Sequence, residues 1–146
     1  MGNLSKDINS KFENIKVKAL LNIIYTSNWI TSYQNESFKD FGISQQQYNI
    51  LRILQGAKEP LKVQTIKDRM LERSPNATRL MDKLCVKDLI KRLPSEHDRR
   101  VVKIEITKQG LNLLHTIPSD LNKELIQNLS EDEAKQLSNL LDKMRS

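Results

Sequence analysis

The charged run His97-Asp98-Arg99-Arg100 and the polar set Asn76, Thr78, Arg79 and Lys83 are the side chains best suited to chemistry in this sequence. The chemistry they suit is recognition, not bond making. Asparagine can pair bidentately with an adenine edge, threonine can meet a thymine methyl, and arginine and lysine neutralise phosphate. Asn76 also has a local alternative, a hydrogen bond at a helix start. Catalysis would need a nucleophile with a base, convergent polar groups or a metal site. His97 and His115 lack partners at triad or metal spacing, and the chain has no P-loop and no GxGxxG. An enzyme is not expected, and neither is a cofactor.

The chain has 146 residues and a net charge of +6. From Lys58 to Lys108 there are 14 Lys and Arg against 8 Asp and Glu, and the remainder holds 10 of each. The whole excess lies in that block. Scattered charge would read as a solvated face, whereas charge confined to one module favours a polyanionic partner. The length fits one domain able to bury a core without staples. A single cysteine, Cys85, rules out an internal disulfide and suits a reducing cytoplasm. No run approaches the ~18 apolar residues of a membrane span. No signal-peptide core is present, and Lys6 stands where myristoylation needs Ser or Thr. A soluble, cytoplasmic protein is expected.

The recognition side chains need rigid elements beneath them. The segment from Leu61 to Gly110 reads as two short amphipathic helices followed by a basic hairpin. The first helix is expected from about Val63 to Leu71, with Val63, Ile66 and Met70 on one face and a turn at Glu72-Arg73. For the second, Ser74 is the expected N-cap, Pro75 the first helical residue, and the helix runs to about Asp88. Ala77, Leu80, Met81 and Leu84 form its apolar face, opposite Asn76, Thr78, Arg79, Asp82 and Lys83. Leu89 to Leu93 and Val101 to Ile106 read as strands around a tip from Pro94 to Arg100. Helix-turn-helix followed at once by a basic hairpin is a winged helix. The fold class is mainly α with a small β wing (α+β).

Helices surround this unit. Asn3 to Phe38 contains no Pro and no Gly, which predicts one long helix from about Asp7 to Phe38. Residues 19–25 are apolar nearly all round and call for cover on more than one side, most simply by a second subunit. Tyr25, Trp29 and Tyr33 share a face. They read as core packing or, alternatively, as a wall of a ligand pocket. Ser44 with Gln47 forms a capping box for a helix ended by Gly56, and Leu61 is a brief edge strand. Thr107 caps a helix that Pro118 kinks or restarts. Ser130 with Glu133 opens a last helix striped with Leu137, Leu140, Leu141 and Met144. Cys85 reads as a small buried hydrophobe. The alternative is a redox switch whose thiolate Lys83 and Lys87 would favour.

From Arg79 to Gly110 the chain reads RLMDKLCVKDLIKRLPSEHDRRVVKIEITKQG. A recognition-helix end, a wing with Asp98-Arg99-Arg100, a strand and then Thr107-Lys108-Gln109-Gly110 resemble the MarR (multiple antibiotic resistance regulator) family. The resemblance spans roughly residues 12 to 144. Leu71 stands where the family commonly has a glycine, and Lys62 where a Ser or Thr cap is usual. The resemblance implies a single domain, with a winged helix-turn-helix at 44–108 and dimerisation helices at 1–38 and 109–146. It implies a homodimeric transcriptional repressor on pseudo-palindromic double-stranded DNA, with the helix from Pro75 in the major groove and the wing in the minor groove. Expected DNA contacts are Lys62, Arg73, Ser74, Pro75, Asn76, Thr78, Arg79, Lys83, Asp98, Arg99 and Arg100. Lys62, Arg73, Arg79 and Lys83 suit phosphate. Arg100 suits the negative potential of a narrow minor groove, with Asp98 holding its guanidinium; the plainer reading is a surface salt bridge. The resemblance also implies release by a small anionic or phenolic ligand, for which Tyr25 and Trp29 are the candidate wall, or by thiol oxidation. Redox members of the family tend to carry a cysteine in the first helix, where this chain has none, so the redox reading of Cys85 rests on Lys83 and Lys87 alone. The alternatives are a winged helix used for protein contact and a DNA-binding module without ligand control.

Overall fold

The computed structural model describes residues 2–73 and 75–146. Ser74, expected as a helix cap and DNA contact, lies outside them. A single helical turn, α1 (Leu4–Asp7), precedes the long α2 (Ile15–Phe38). A 3-10 turn at Lys39–Phe41 and a left-handed Gly42 (φ 68°) close it. Next come α3 (Gln45–Ala57), the short strand β1 (Leu61–Lys62), α4 (Val63–Arg69) and α5 (Ala77–Val86). A hairpin of β2 (Ile90–Pro94) and β3 (Val102–Ile106) follows, then α6 (Lys108–Thr116), a short α7 (Lys123–Ile126) and α8 (Glu131–Met144). The strands form one antiparallel sheet in the order β1-β3-β2.

The core sits beneath α5 and the root of the hairpin. α3 turns Ile50, Leu51 and Leu54 inward, α4 adds Ile66, and α5 adds Ala77, Met81 and Leu84 at helical spacing. Ile90 and Ile104 close it from the sheet, and Leu61 of β1 is registered with Ile104. Burying a side chain of this kind is worth roughly 1.5–3 kcal/mol, so the two helices and the wing are held as one body. Phe38 at the end of α2 meets Tyr48 of α3 with ring centroids 4.8 Å apart.

The capping box at Ser44 forms as its sequence predicts. Its Oγ accepts from the Gln47 amide at 3.1 Å, and its amide donates to Gln47 Oε1 at 3.0 Å. Gln47 is buried and its Nε2 also donates to the Leu80 carbonyl of α5 at 3.4 Å. One side chain thus starts α3 and ties it to α5. Ser44→Ala is expected to lower stability by about 1 kcal/mol, read from urea unfolding; an unchanged midpoint would mean that the cap carries no weight.

Several boundaries differ from the sequence expectation. The first helix is not continuous from Asp7. Asn9 is left-handed (φ 49°), and Asn14 caps α2 with its Oδ1 accepting from the Lys16 amide at 2.8 Å. Asparagine tolerates that backbone and competes for helix-start amides, so it breaks a helix without Pro or Gly. The 24 residues of α2 span about 36 Å. Gly56 lies inside α3, and Lys58 supplies the left-handed cap instead (φ 56°). α4 stops at Arg69, with Met70 already extended. α5 begins at Ala77 with Asn76 at its N-cap, so Pro75 is not the first helical residue but part of the preceding turn. It ends at Val86, because Asp88 turns left-handed (φ 57°) to enter β2. Pro94 pairs with Val102 at the end of the edge strand β2, a position proline tolerates, and the tip is therefore 95–101. After Pro118 the chain does not resume a helix until α7.

Candidate nucleic-acid interface

α5 presents two faces. Ala77, Met81 and Leu84 are buried, while Thr78, Arg79, Asp82, Lys83 and Val86 are exposed. Pro75 and Asn76 lie exposed in the turn just before it, as does Arg73. Arg73 and Pro75 border one open hollow with Lys67 of α4, of about 530 Å³. Leu71, where glycine is usual, keeps a negative φ and so has no need of glycine. α3 holds this turn from below. Asn49 Oδ1 accepts from the Leu71 amide at 3.0 Å, and Gln46 Nε2 donates to Glu72 Oε2 at 2.5 Å. Lys62 is exposed at the N-cap of α4, without a side-chain cap bond.

The wing tip carries Asp98, Arg99 and Arg100, all exposed. Asp98 does not hold the Arg100 guanidinium as expected. Its Oδ1 accepts from the Arg100 backbone amide at 2.9 Å, and the Val101 amide donates to the Asp98 carbonyl at 3.0 Å. The aspartate therefore shapes the turn and leaves the arginine head outside it. The charges that the sequence singles out share one property. Among the described residues none of Lys62, Arg73, Arg79, Lys83, Arg99 and Arg100 joins an ion pair. The cations that do are Lys39, Lys91, Arg92 and Arg145.

Two pairings near this surface escape sequence reasoning. Arg92 of β2 donates to Asp82 of α5, which holds the guanidinium pKa above its ordinary value. Lys87 Nζ donates to the Gly42 carbonyl, bracing the end of α5 against the end of α2. Lys39 and Lys87 join Arg79 and Lys83 around a hollow of about 600 Å³ between these elements. Each pairing joins residues distant in the chain, so no local spacing announces it.

Tyr25 and Trp29 line neither of these two hollows. They are 42% and 49% exposed on α2. Tyr33, on the same face, is half-buried and donates to Glu124 Oε2 at 2.9 Å, which raises its pKa. Cys85 is half-buried against the core. Among the described residues no helix is long and apolar enough to cross a membrane. No group of three His, Cys, Asp or Glu there could hold a metal ion.

Comparison with known proteins agrees with this geometry. The MarR family's sequence model matches residues 43–102, from the start of α3 to the start of β3. The chain is 32% identical over 133 residues to the HTH-type transcriptional regulator MhqR of Bacillus subtilis, covering 88% of this chain and 89% of that protein. A MarR transcription factor from Planctomyces limnophilus superposes with a TM-score of 0.69 at 30% identity, over 90% of this chain and 98% of that one. A MarR mutant from E. coli, complexed with operator DNA, shares the fold with a TM-score of 0.75 at 24% identity, over 98% and 99% of the two chains. With a winged helix, a basic reading face and a relative of this identity over most of its length, the chain belongs to the MarR family of transcriptional regulators.

Proposed function

We propose that two copies of this regulator pair through their terminal helices and occupy a pseudo-palindromic operator, each α5 in a major groove and each wing in a minor groove. The observation that carries the DNA contact is the set of cations on α5 and the wing tip that join no ion pair among the described residues. Phosphate is the partner they lack. Asn76 and Thr78 stand at the start of α5, where a helix in the major groove meets base edges. A MarR mutant of the same fold is complexed with operator DNA, which supports duplex DNA as the partner.

Pairing is supported by α8. It has a complete capping box and a leucine stripe, yet every residue from Glu131 to Leu140 is exposed. A helix of this length gets most of its stability from packing, so the stripe calls for a second chain. The corresponding control is relief of repression by a small anionic or phenolic ligand. Displacement of duplex from the wild-type protein by added organic carboxylates or phenols would read it, and no displacement by either class would count against it.

Salt titration of duplex binding tests the central claim. The log–log slope is expected at about −4 or steeper; a flat response would favour the protein-contact reading. In the same assay Arg100→Ala is expected to weaken operator binding at least about tenfold, with the dimer intact. Unchanged affinity at physiological salt would remove Arg100 from the interface.

A further inference from the structure

We propose that Asp82 and Arg92 form a positioning couple that fixes the wing against the recognition helix, so that Arg92 acts through Asp82 and does not itself touch the duplex. The inference rests on the DNA-binding reading above. Strand alternation is the first reason. Ile90, Arg92 and Pro94 share one face of β2 and are registered with Ile106, Ile104 and Val102. Ile90 and Ile104 are buried, so Arg92 leaves the sheet on the side of the core and α5. Lys91 leaves on the other side, where it pairs with Glu105 at 3.0 Å.

The second reason is where Arg92 arrives. Its Nη2 donates to Asp82 Oδ1, on the exposed face of α5 between Arg79 and Lys83. A bare carboxylate there would repel the phosphates that Arg79 and Lys83 attract. Paired, it is neutral towards DNA. The same contact links α5, which reads one groove, to the strand leading to Arg99 and Arg100, which reach another. One ion pair thus silences an adverse charge and sets the angle between two reading elements.

The test is duplex binding by the full chain as wild type, Asp82→Asn, Arg92→Gln and the double variant. Both side chains are well exposed, at 53% and 41%, so the variants should fold, and unchanged melting curves verify this. Each single substitution is expected to weaken binding about fivefold to tenfold and to thin hydroxyl-radical protection where the wing lies. The double variant should be no weaker than the worse single one. The salt slope should stay constant, because a charge already paired within the protein releases no counterion from DNA. Tighter binding by Asp82→Asn, with a slope shallower by about one unit in Arg92→Gln, would make Arg92 a direct phosphate contact and overturn the couple. Additive losses in the double variant would overturn it too. A wild type that ignores duplex at low salt would remove the DNA-binding reading and the couple together; variants identical to a binding wild type would remove the couple alone.

Discussion

Replacing Gly110 by alanine is expected to destabilise the protein by about 3 kcal/mol or more, at the upper end of what overpacking costs. Helix propensity alone predicts the opposite, a gain of about 1 kcal/mol, since the glycine is the third residue of α6. Sterics decide. A Cβ at Gly110 would lie 2.3 Å from the Leu89 carbonyl oxygen and 2.7 Å from Ile106 Cγ1. The carbonyl cannot easily retreat, because it accepts the Thr107 amide at 3.1 Å. Thr107 is itself fixed. Its hydroxyl donates to the Asp88 carbonyl at 2.6 Å and accepts the Gly110 amide at 3.0 Å. These bonds lock the start of α6 onto the left-handed exit from α5. A loss of 3 kcal/mol lowers the melting temperature by about 10 °C in a chain of this size. Calorimetry showing an alanine variant as stable as wild type would mean that the two backbones are not held this close.

The same joint shows what could be read from sequence and what could not. Thr107 as a cap was legible, because a cap needs only residues three apart. So were the boxes at Ser44–Gln47 and Ser130–Glu133, and the apolar stripe of α5. The reason for glycine at 110 was not, because it lies in Leu89, reached across the whole hairpin. Asp82 and Arg92 are separated by the turn into β2, and neither residue alone signals the other. Asn9 and Asn14 ended the first helix through side-chain and backbone preferences that an apolar pattern does not register. Lys58, not Gly56, took the left-handed cap, because tertiary fit chose the residue where α3 had to stop. Residues 19–25 of α2 were legible as a stretch in need of cover. What covers Tyr25 and Trp29 was not, since no element of the described chain does so. The charge excess falls on the same module whose cations Lys62, Arg73, Arg79, Lys83, Arg99 and Arg100 join no ion pair among the described residues, so composition and structure mark the same face.

Leu140→Glu is expected to raise the dimer dissociation constant by about 100-fold or more while leaving the winged helix folded. Leu140 is 64% exposed in the single chain and lies outside the buried core cluster. Within one copy, then, the substitution removes little. Its consequence falls on whatever covers α8. Beside that helix lies an apolar groove of about 780 Å³, with Ala19, Ile23 and Ile30 of α2 on one wall and Leu137, Leu140 and Met144 on the other. A two-fold interface places each substituted residue twice, and a carboxylate buried without a partner is strongly unfavourable. Sedimentation should show monomers at concentrations where the wild type pairs, with an unchanged far-ultraviolet spectrum. Affinity for a two-half-site operator should then fall by about 10²-fold or more, because the second half-site is no longer bound intramolecularly. Affinity for an isolated half-site should stay close to wild type. That contrast separates loss of pairing from loss of fold, since an unfolded variant would lose both. A Leu140→Glu protein that remains paired would place the dimer contact away from α8, and the leucine stripe would then need another partner.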